Sequence, residues 1–269
     1  MIISACSDEI SQDLATALAV LEREGIRHVD LRGLWGKSVI EMSDQQADRA
    51  QQMLAAGGFT VTALSTPIGK TPITADFAFE QARLTRALEL ARQLGAPYLR
   101  IFSFYATEAE AREQRAEALR RLREMGAMAQ PYGVVLAHEN EEAGFCFWRP
   151  EECQAMHQEL PDTIRALFEP CSFSVVNYDP FVDALPLLRP YIAYVHVRDT
   201  PRGTNHYTVA GAGDARWHDI LSDLKAHNFT GYLTLEPHLG WAEADMTDAL
   251  RTSNFHRAAQ ALRDVLATL

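Results

Sequence analysis

Eight short apolar segments, rich in β-branched residues, recur along the chain and constrain its fold more than any other feature. Each has the length of a buried strand and is too short for a helix. They read IISAC (2–6), HVDLRG (28–33), TVTALST (60–66), YLRIFSF (98–104), VVLAHEN (134–140), IRALFEP (164–170), IAYVHVRD (192–199) and YLTLEPH (232–238). Helical patterns separate them, and strands that alternate with helices predict a parallel sheet.

The helical patterns follow the strands one by one. In 74–94, apolar residues recur at spacings of three and four, at Leu84, Leu88, Ala91 and Leu94, and so define one buried stripe. Similar patterns cover 11–24, 43–57, 108–130, 150–159, 180–188, 217–227 and 245–268. Eight strand–helix units in about 250 residues match the size of a (β/α)8 TIM barrel. We therefore predict an α/β fold of this kind, as a single domain over 1–269.

An open, doubly wound sheet is the alternative arrangement of the same elements. That fold usually carries a glycine-rich phosphate loop, and neither GxGxxG nor GxxxxGK[ST] occurs in the sequence. No stretch rich in proline, serine or glycine divides the chain into two units. The closed barrel is the better interpretation.

Composition narrows the class of partner. The formal net charge is −11, whereas nucleic-acid-binding proteins usually show a basic footprint, so we expect a small-molecule substrate and no nucleic acid. The four cysteines form no CxxC pair and are expected to be reduced, as in a cytoplasmic protein. The first residues lack the pattern of a signal peptide. No stretch approaches the roughly 18 apolar residues of a membrane-spanning helix, so no membrane association is expected.

Ionisable side chains terminate the last four predicted strands. They are Glu139, Glu169, His196 and Glu236. In a barrel the active site lies at the carboxyl ends of the strands, and adjacent strands are about 4.8 Å apart, so the four groups are expected to converge. Crowded carboxylates repel one another unless a cation lies between them. The pattern predicts one divalent metal ion (Mn²⁺, Mg²⁺, Co²⁺ or Zn²⁺), and the alternative is a hydrogen-bonded acid cluster without metal.

The chain resembles the sugar phosphate isomerase/epimerase family of xylose isomerase-like TIM barrels. The most specific stretches are TPIGK (66–70), LGAPYLRIFSF (94–104), HEN (138–140), LLRPYIAYVHVRD (187–199) and LEPHL (235–239). The resemblance implies that the four strand-end residues hold one metal. The sequence FEPCSF departs from the family pattern, because Glu169 stands where Asp is usual and Ser172 where Asn or His is usual.

The resemblance also implies a reaction. A metal-dependent isomerase or epimerase of this family would act on a sugar or related hydroxy-ketone through a metal-stabilised enediolate. Glu139 and Glu236 would be the catalytic acid/base pair, on opposite faces of the planar intermediate. A dehydratase of an inosose- or dehydroshikimate-like substrate and a catalytically inactive sugar-binding barrel are the alternatives. A nuclease of the same fold is disfavoured, because the ends of the third and fourth strands offer no histidine.

Three further residues are predicted to bind substrate. Lys70 ends TPIGK, Arg202 follows His196 by six residues, as a substrate-binding arginine does in some epimerases of the family, and His238 follows Glu236 by two. Arg32 and Arg100 lie inside strand patterns, where we expect them to be paired within the barrel. Barrels of this kind often dimerise, so a homo-oligomer is also possible.

Overall fold

Eight parallel strands close into a barrel in the computed structural model, which describes residues 1–240 and 246–269. The strands are β1 (Ile2–Cys6), β2 (His28–Leu31), β3 (Thr60–Ser65), β4 (Tyr98–Ile101), β5 (Val135–Glu139), β6 (Ile164–Phe168), β7 (Ile192–Val197) and β8 (Tyr232–Leu235). Each strand pairs with its neighbours in the chain, and β1 closes the ring by pairing with β8. The predicted (β/α)8 barrel is confirmed.

Helices connect successive strands around the outside. They are α1 (Leu14–Arg23), α2 (Asp44–Gly57), α3 (Phe77–Leu94), α4 (Glu108–Glu113), α5 (Arg115–Ala129), α6 (Pro150–Glu159), α7 (Pro170–Val175), α8 (Leu185–Leu188), α9 (Trp217–Ala226) and α10 (Asp248–Ala267). Gly58 and Gly95 end α2 and α3 in the left-handed conformation, which glycine adopts without steric cost. Among the described residues, no helix is long and apolar enough to cross a membrane.

Several predicted helices differ from the observed ones. The stretch 108–130 is broken at Gln114, which separates α4 from α5, and 180–188 holds only one wide turn and the short α8. The start of the predicted helix at residue 245 lies outside the described residues. No pattern in the sequence predicts α7, because its six residues begin at Pro170 and five of them are buried, so no amphipathic period exists.

The barrel interior is apolar near its middle and polar at its carboxyl end. Ala63, Ala137, Leu167 and Tyr194 form a small cluster that Tyr98 and Tyr232 extend. Side chains alternate across each strand, so the residue two positions after each of these six also faces the barrel interior. Those next inward-facing positions carry polar residues. These are Ser65, Arg100, Glu139, Glu169, His196 and Thr234.

A histidine pair lies outside the barrel wall, between β5 and α6. His138 points away from the barrel interior, as the alternation predicts, and its ring centroid is 5.8 Å from that of His157. The His157 ring stacks on Tyr191 at 5.3 Å. Burial lowers the pKa of His138 to about 4, and burial together with the neighbouring His138 and Arg165 holds the pKa of His157 well below its usual value. Both rings are therefore neutral in the folded protein.

We expect the histidine pair to lower the free energy of unfolding as the pH drops below about 6.5, a contribution that is read from the difference between wild type and a variant. The unfolded chain then binds protons that the folded histidines do not, and a folded pKa of about 4 at His138 corresponds to a loss of about 2 kcal/mol between pH 7 and pH 5. His157→Phe, which keeps an aromatic ring against Tyr191, should reduce this dependence. Denaturant unfolding at the two pH values measures it, with the exposed His218→Phe as control. If the free energy of unfolding changed with pH by the same amount in H157F and wild type, the neutral state of the buried His157 would be contradicted.

Candidate metal centre and active site

The four strand-end residues meet at the carboxyl end of the barrel. Glu139 is the last residue of β5, His196 lies in β7, and Glu169 and Glu236 directly follow β6 and β8. One ligand atom from each lies within 4.8 Å of the others, and all four side chains are buried. The convergence that the strand pattern predicted is therefore present.

His196 lies between two of the glutamates. Its Nδ1 atom is 3.1 Å from Glu139 Oε1 and 3.1 Å from Glu236 Oε2. Its Nε2 atom faces deeper into the barrel, 3.7 Å from Asp30 Oδ2. The Nδ1 edge of the imidazole ring is thus directed at the carboxylate cluster, and the Nε2 edge at Asp30.

Two arginines that the sequence placed inside strand patterns are paired with these carboxylates, as expected. Arg100 Nη1 bridges Glu139 Oε2 at 3.2 Å and Glu236 Oε1 at 3.3 Å. Arg32 Nη1 donates to Glu236 Oε1 at 2.5 Å, and its other nitrogens contact Asp8 at 2.9 Å and Glu9 at 2.6 Å. Each guanidinium supplies the counter-charge that buried carboxylates require.

Arg198 and Asn140 were not recognised from the sequence, and both hold Glu169. Arg198 Nε is 3.1 Å from Glu169 Oε2, and its Nη2 donates to Ser172 Oγ at 3.1 Å. The Asn140 side chain accepts from the Glu169 N–H at 2.9 Å and donates to its carbonyl at 2.8 Å. The available signal was spacing, since Arg198 follows His196 by two residues on the same side of the strand.

Both departures from the family pattern are part of this arrangement. Glu169 also begins α7, where its Oε1 accepts from the Cys171 N–H at 2.8 Å. The short side chain of Ser172 receives the Arg198 guanidinium. One carboxylate oxygen of Glu169 therefore caps the N-terminus of α7, and the other faces Arg198.

The network moves the pKa values of the glutamates in opposite directions. Burial alone would raise the pKa of Glu139, but Arg100 and His196 outweigh it and hold the value at about 2. Glu236 is held well below its usual pKa, because His196, His238 and Arg32 outweigh its burial. Burial raises the pKa of Glu169 to about 8, and Arg198 opposes it only in part. Glu139 and Glu236 are therefore ionised at neutral pH, whereas Glu169 holds a proton.

These residues fit a divalent cation. Among the described residues, the network holds six carboxylates against three guanidinium groups and two imidazoles. The carboxylates belong to Asp8, Glu9, Asp30, Glu139, Glu169 and Glu236. Glu169 Oε2 is buried, and its contact with Arg198 is not aligned as a hydrogen bond. An excess of carboxylate oxygens, one imidazole and a partly satisfied oxygen together form a donor set suited to a hard or borderline metal ion.

The three predicted substrate-binding residues have different surroundings. Lys70 pairs with Glu141 at 2.5 Å and lies over the Phe102 ring at 4.2 Å. His238 bonds to Glu9, with Nδ1 at 2.7 Å from its Oε1, and is thereby linked to the cluster through Arg32. The Arg202 side chain pairs with Asp179 at 3.1 Å, and in the part of the chain that the structure describes it forms no ion pair with the strand-end glutamates.

A cavity of about 420 Å³ opens beside the cluster, on the side of β1 to β3. Its lining includes Arg32 and Arg100, which contact Glu236, together with Lys37, Ser65 and Lys70. The volume lies within the usual range for a small-molecule site. Lys70 therefore lines the same cavity as the two arginines that contact Glu236, whereas Arg202, His238 and the four candidate ligands are not among its lining residues.

The chain folds as a closed (β/α)8 barrel, and a buried carboxylate–imidazole cluster lies at the carboxyl ends of its strands. TIM-barrel proteins carry their active sites at this end of the barrel, so the cluster is a candidate active site. The family model of the xylose isomerase-like TIM barrel matches residues 18–258. The chain belongs to this family, and the resemblance stated from the sequence is confirmed. No curated protein matches the chain in sequence.

Several solved structures share the fold over nearly the whole chain. A structure of the IOLI protein with a binding zinc atom superposes with a TM-score of 0.82 at 17% identity, covering 100% of this chain and 99% of that one. An L-ribulose 3-epimerase gives 0.75 at 19% identity, covering 100% and 97%. The probable 3-DHS dehydratase AsbF from Bacillus anthracis gives 0.78 at 14% identity, covering 98% and 99%. At these identities the likeness establishes the fold.

Proposed function

We propose that the protein is a divalent-metal-dependent isomerase or epimerase that acts on a sugar or a related hydroxy-ketone. The observation that carries the proposal is the convergence of Glu139, Glu169, His196 and Glu236, all buried, with ligand atoms within 4.8 Å of one another. Membership of the xylose isomerase-like family and the epimerase among the structures of the same fold support it.

The four strand-end residues would hold the metal. When bound, the ion would polarise the substrate carbonyl and stabilise the negative charge of an enediolate, the chemistry that a Lewis acid supplies. Glu169 and His196 must lose protons in order to ligate, so metal binding is expected to be accompanied by proton release.

Glu139 and Glu236 would move the protons. Both are ionised at neutral pH and lie on β5 and β8, with the His196 Nδ1 atom 3.1 Å from an oxygen of each. One carboxylate would remove a proton from carbon, and the other would return one to the opposite face. Arg100, which contacts both, would keep the two carboxylates at a fixed separation.

Substrate would enter through the cavity beside the cluster. Lys70 would bind substrate oxygens from its wall, and His238 would contribute through the network of Glu9 and Arg32. Arg202 remains a predicted substrate ligand that would have to leave Asp179. A cytoplasmic location and a homo-oligomeric state belong to the same proposal, and the four free, buried cysteines are consistent with the former.

Metal analysis and a ketose panel test this function together. Protein purified without chelator is expected to contain about one divalent ion per chain. In D₂O it should epimerise a ketose at C2 or C3 with incorporation of solvent deuterium. Chelation should abolish turnover, and Mn²⁺ or Co²⁺ should restore it. A dehydrated product would instead indicate a lyase, and protein that binds no divalent ion would contradict the proposal.

A further inference from the structure

Asp30 is a buried carboxylate below the cluster, in the barrel interior. It is fully shielded from solvent on β2, and the Ser65 hydroxyl donates to its Oδ2 at 2.9 Å. The other oxygen, Oδ1, has no hydrogen-bond partner. The pairing of β2 with β3 shifts register between Val29 and Asp30, an irregularity that re-aims the side chains beside it.

The imidazole of His196 approaches Asp30, and its two nitrogens have different neighbours. Nδ1 faces Glu139 and Glu236 at 3.1 Å, whereas Nε2 faces Asp30 Oδ2 at 3.7 Å and is itself a buried atom without a hydrogen-bond partner. A neutral imidazole carries one N–H and one lone pair, on different nitrogens. If the lone pair on Nδ1 is used as a ligand, the proton must reside on Nε2, in the buried interior.

We propose that Asp30 is the positioning residue for His196, accepting the Nε2–H bond and thereby presenting the Nδ1 lone pair to the metal. Ligating histidines usually donate their second N–H to a carboxylate or carbonyl, which fixes the ring orientation and raises the basicity of the ligand. A movement of a few tenths of an ångström converts the 3.7 Å contact into a hydrogen bond. The inference rests on the proposed metal site.

The experiment compares metal affinity in wild type, Asp30→Asn and Asp30→Ala by calorimetry with Co²⁺. The loss of the carboxylate is expected to weaken Co²⁺ binding by about 10- to 100-fold, with alanine at least as damaging as asparagine. Glu80→Gln is the matched control for metal affinity, because Glu80 is equally buried but bonds to Gly69 and Arg83 and to none of the four candidate ligands. It should leave Co²⁺ affinity unchanged. Unchanged affinity in both Asp30 variants would overturn the inference.

A measurement on wild type keeps the inference testable if the Asp30 variants do not fold. Nitrogen-15 NMR of the Zn²⁺-loaded protein should show the proton of His196 on Nε2, with Nδ1 metal-bound. A proton on Nδ1 would overturn the assignment. Failure of the proposed function is distinguishable from failure of this inference, because in the first case wild type itself binds neither Co²⁺ nor Zn²⁺.

Discussion

Glu236→Gln is expected to lower kcat for epimerisation by about 10²–10⁴-fold, as is Glu139→Gln, because each removes one of two proton-transferring groups. The amide keeps the shape of the side chain but can neither accept a proton from carbon nor bind a metal as strongly. Steady-state kinetics on whichever ketose the wild type accepts measure the effect. Full activity in either variant would remove that residue from the catalytic role.

Deuterium exchange separates loss of the acid/base group from loss of the metal. A variant that retains metal and one functional carboxylate should still exchange the substrate C–H proton with D₂O on one face, although it does not invert the centre. A variant that has lost its metal should exchange none. Circular dichroism should show a folded barrel in both Glu236→Gln and Glu139→Gln. In Glu236→Gln, Arg32 keeps its contacts with Asp8 and Glu9. Glu80→Gln should retain its metal as wild type does, because Glu80 contacts none of the four candidate ligands.

The sequence specified the scaffold of the site because barrel geometry is regular. A strand has a period of two, and neighbouring strands have a fixed spacing, so a glutamate that ends β5 and one that follows β8 converge once the ring closes. His196 was predicted on the same grounds. These inferences needed only the strand boundaries, which apolar segments mark well.

The partners of these residues were harder to predict, because they depend on three-dimensional contacts. Arg198 follows β7 and reaches Glu169, which follows the neighbouring β6, and α7 places the small Ser172 beside its guanidinium. The spacing after His196 indicates which side Arg198 faces but not its partner, and α7 leaves no amphipathic pattern in the sequence. For Arg202 the sequence offered a signal that the structure does not follow. Its spacing from His196 matches a family pattern, but its side chain contacts Asp179.

Asp30 illustrates a third case. Its sequence context, HVDLRG, predicts a strand in which an acidic residue is unexpected, and the segment alone offers no partner for it. Only the closed ring brings β2 and β7 face to face across the interior, so that Asp30 and His196 meet. Buried polar residues of this kind become interpretable when their partners, which lie far away in the chain, are known.

Arg100→Met is expected to destabilise the metal-free protein by about 3–5 kcal/mol, the usual cost of leaving a buried charge without its partner. Arg100 Nη1 contacts both Glu139 at 3.2 Å and Glu236 at 3.3 Å, and its side chain is buried. Methionine retains a long apolar stem but not the charge. The two ionised carboxylates would then keep His196 and Arg32 as ion-pair partners.

A divalent ion should reverse much of this loss, because it supplies the same counter-charge at the same carboxylates. Saturating Mn²⁺ is therefore expected to raise the free energy of unfolding more in R100M than in wild type, since the stabilisation by an ion that binds only the folded state grows with the logarithm of its affinity. Arg120→Met is the control, because Arg120 also has two carboxylate partners, Glu117 and Glu124, but is exposed. It should respond to Mn²⁺ as wild type does. If Mn²⁺ stabilised R100M no more than wild type, Arg100 would act through its packing over the Phe102 ring, and the competition between guanidinium and metal for the same carboxylates would be refuted.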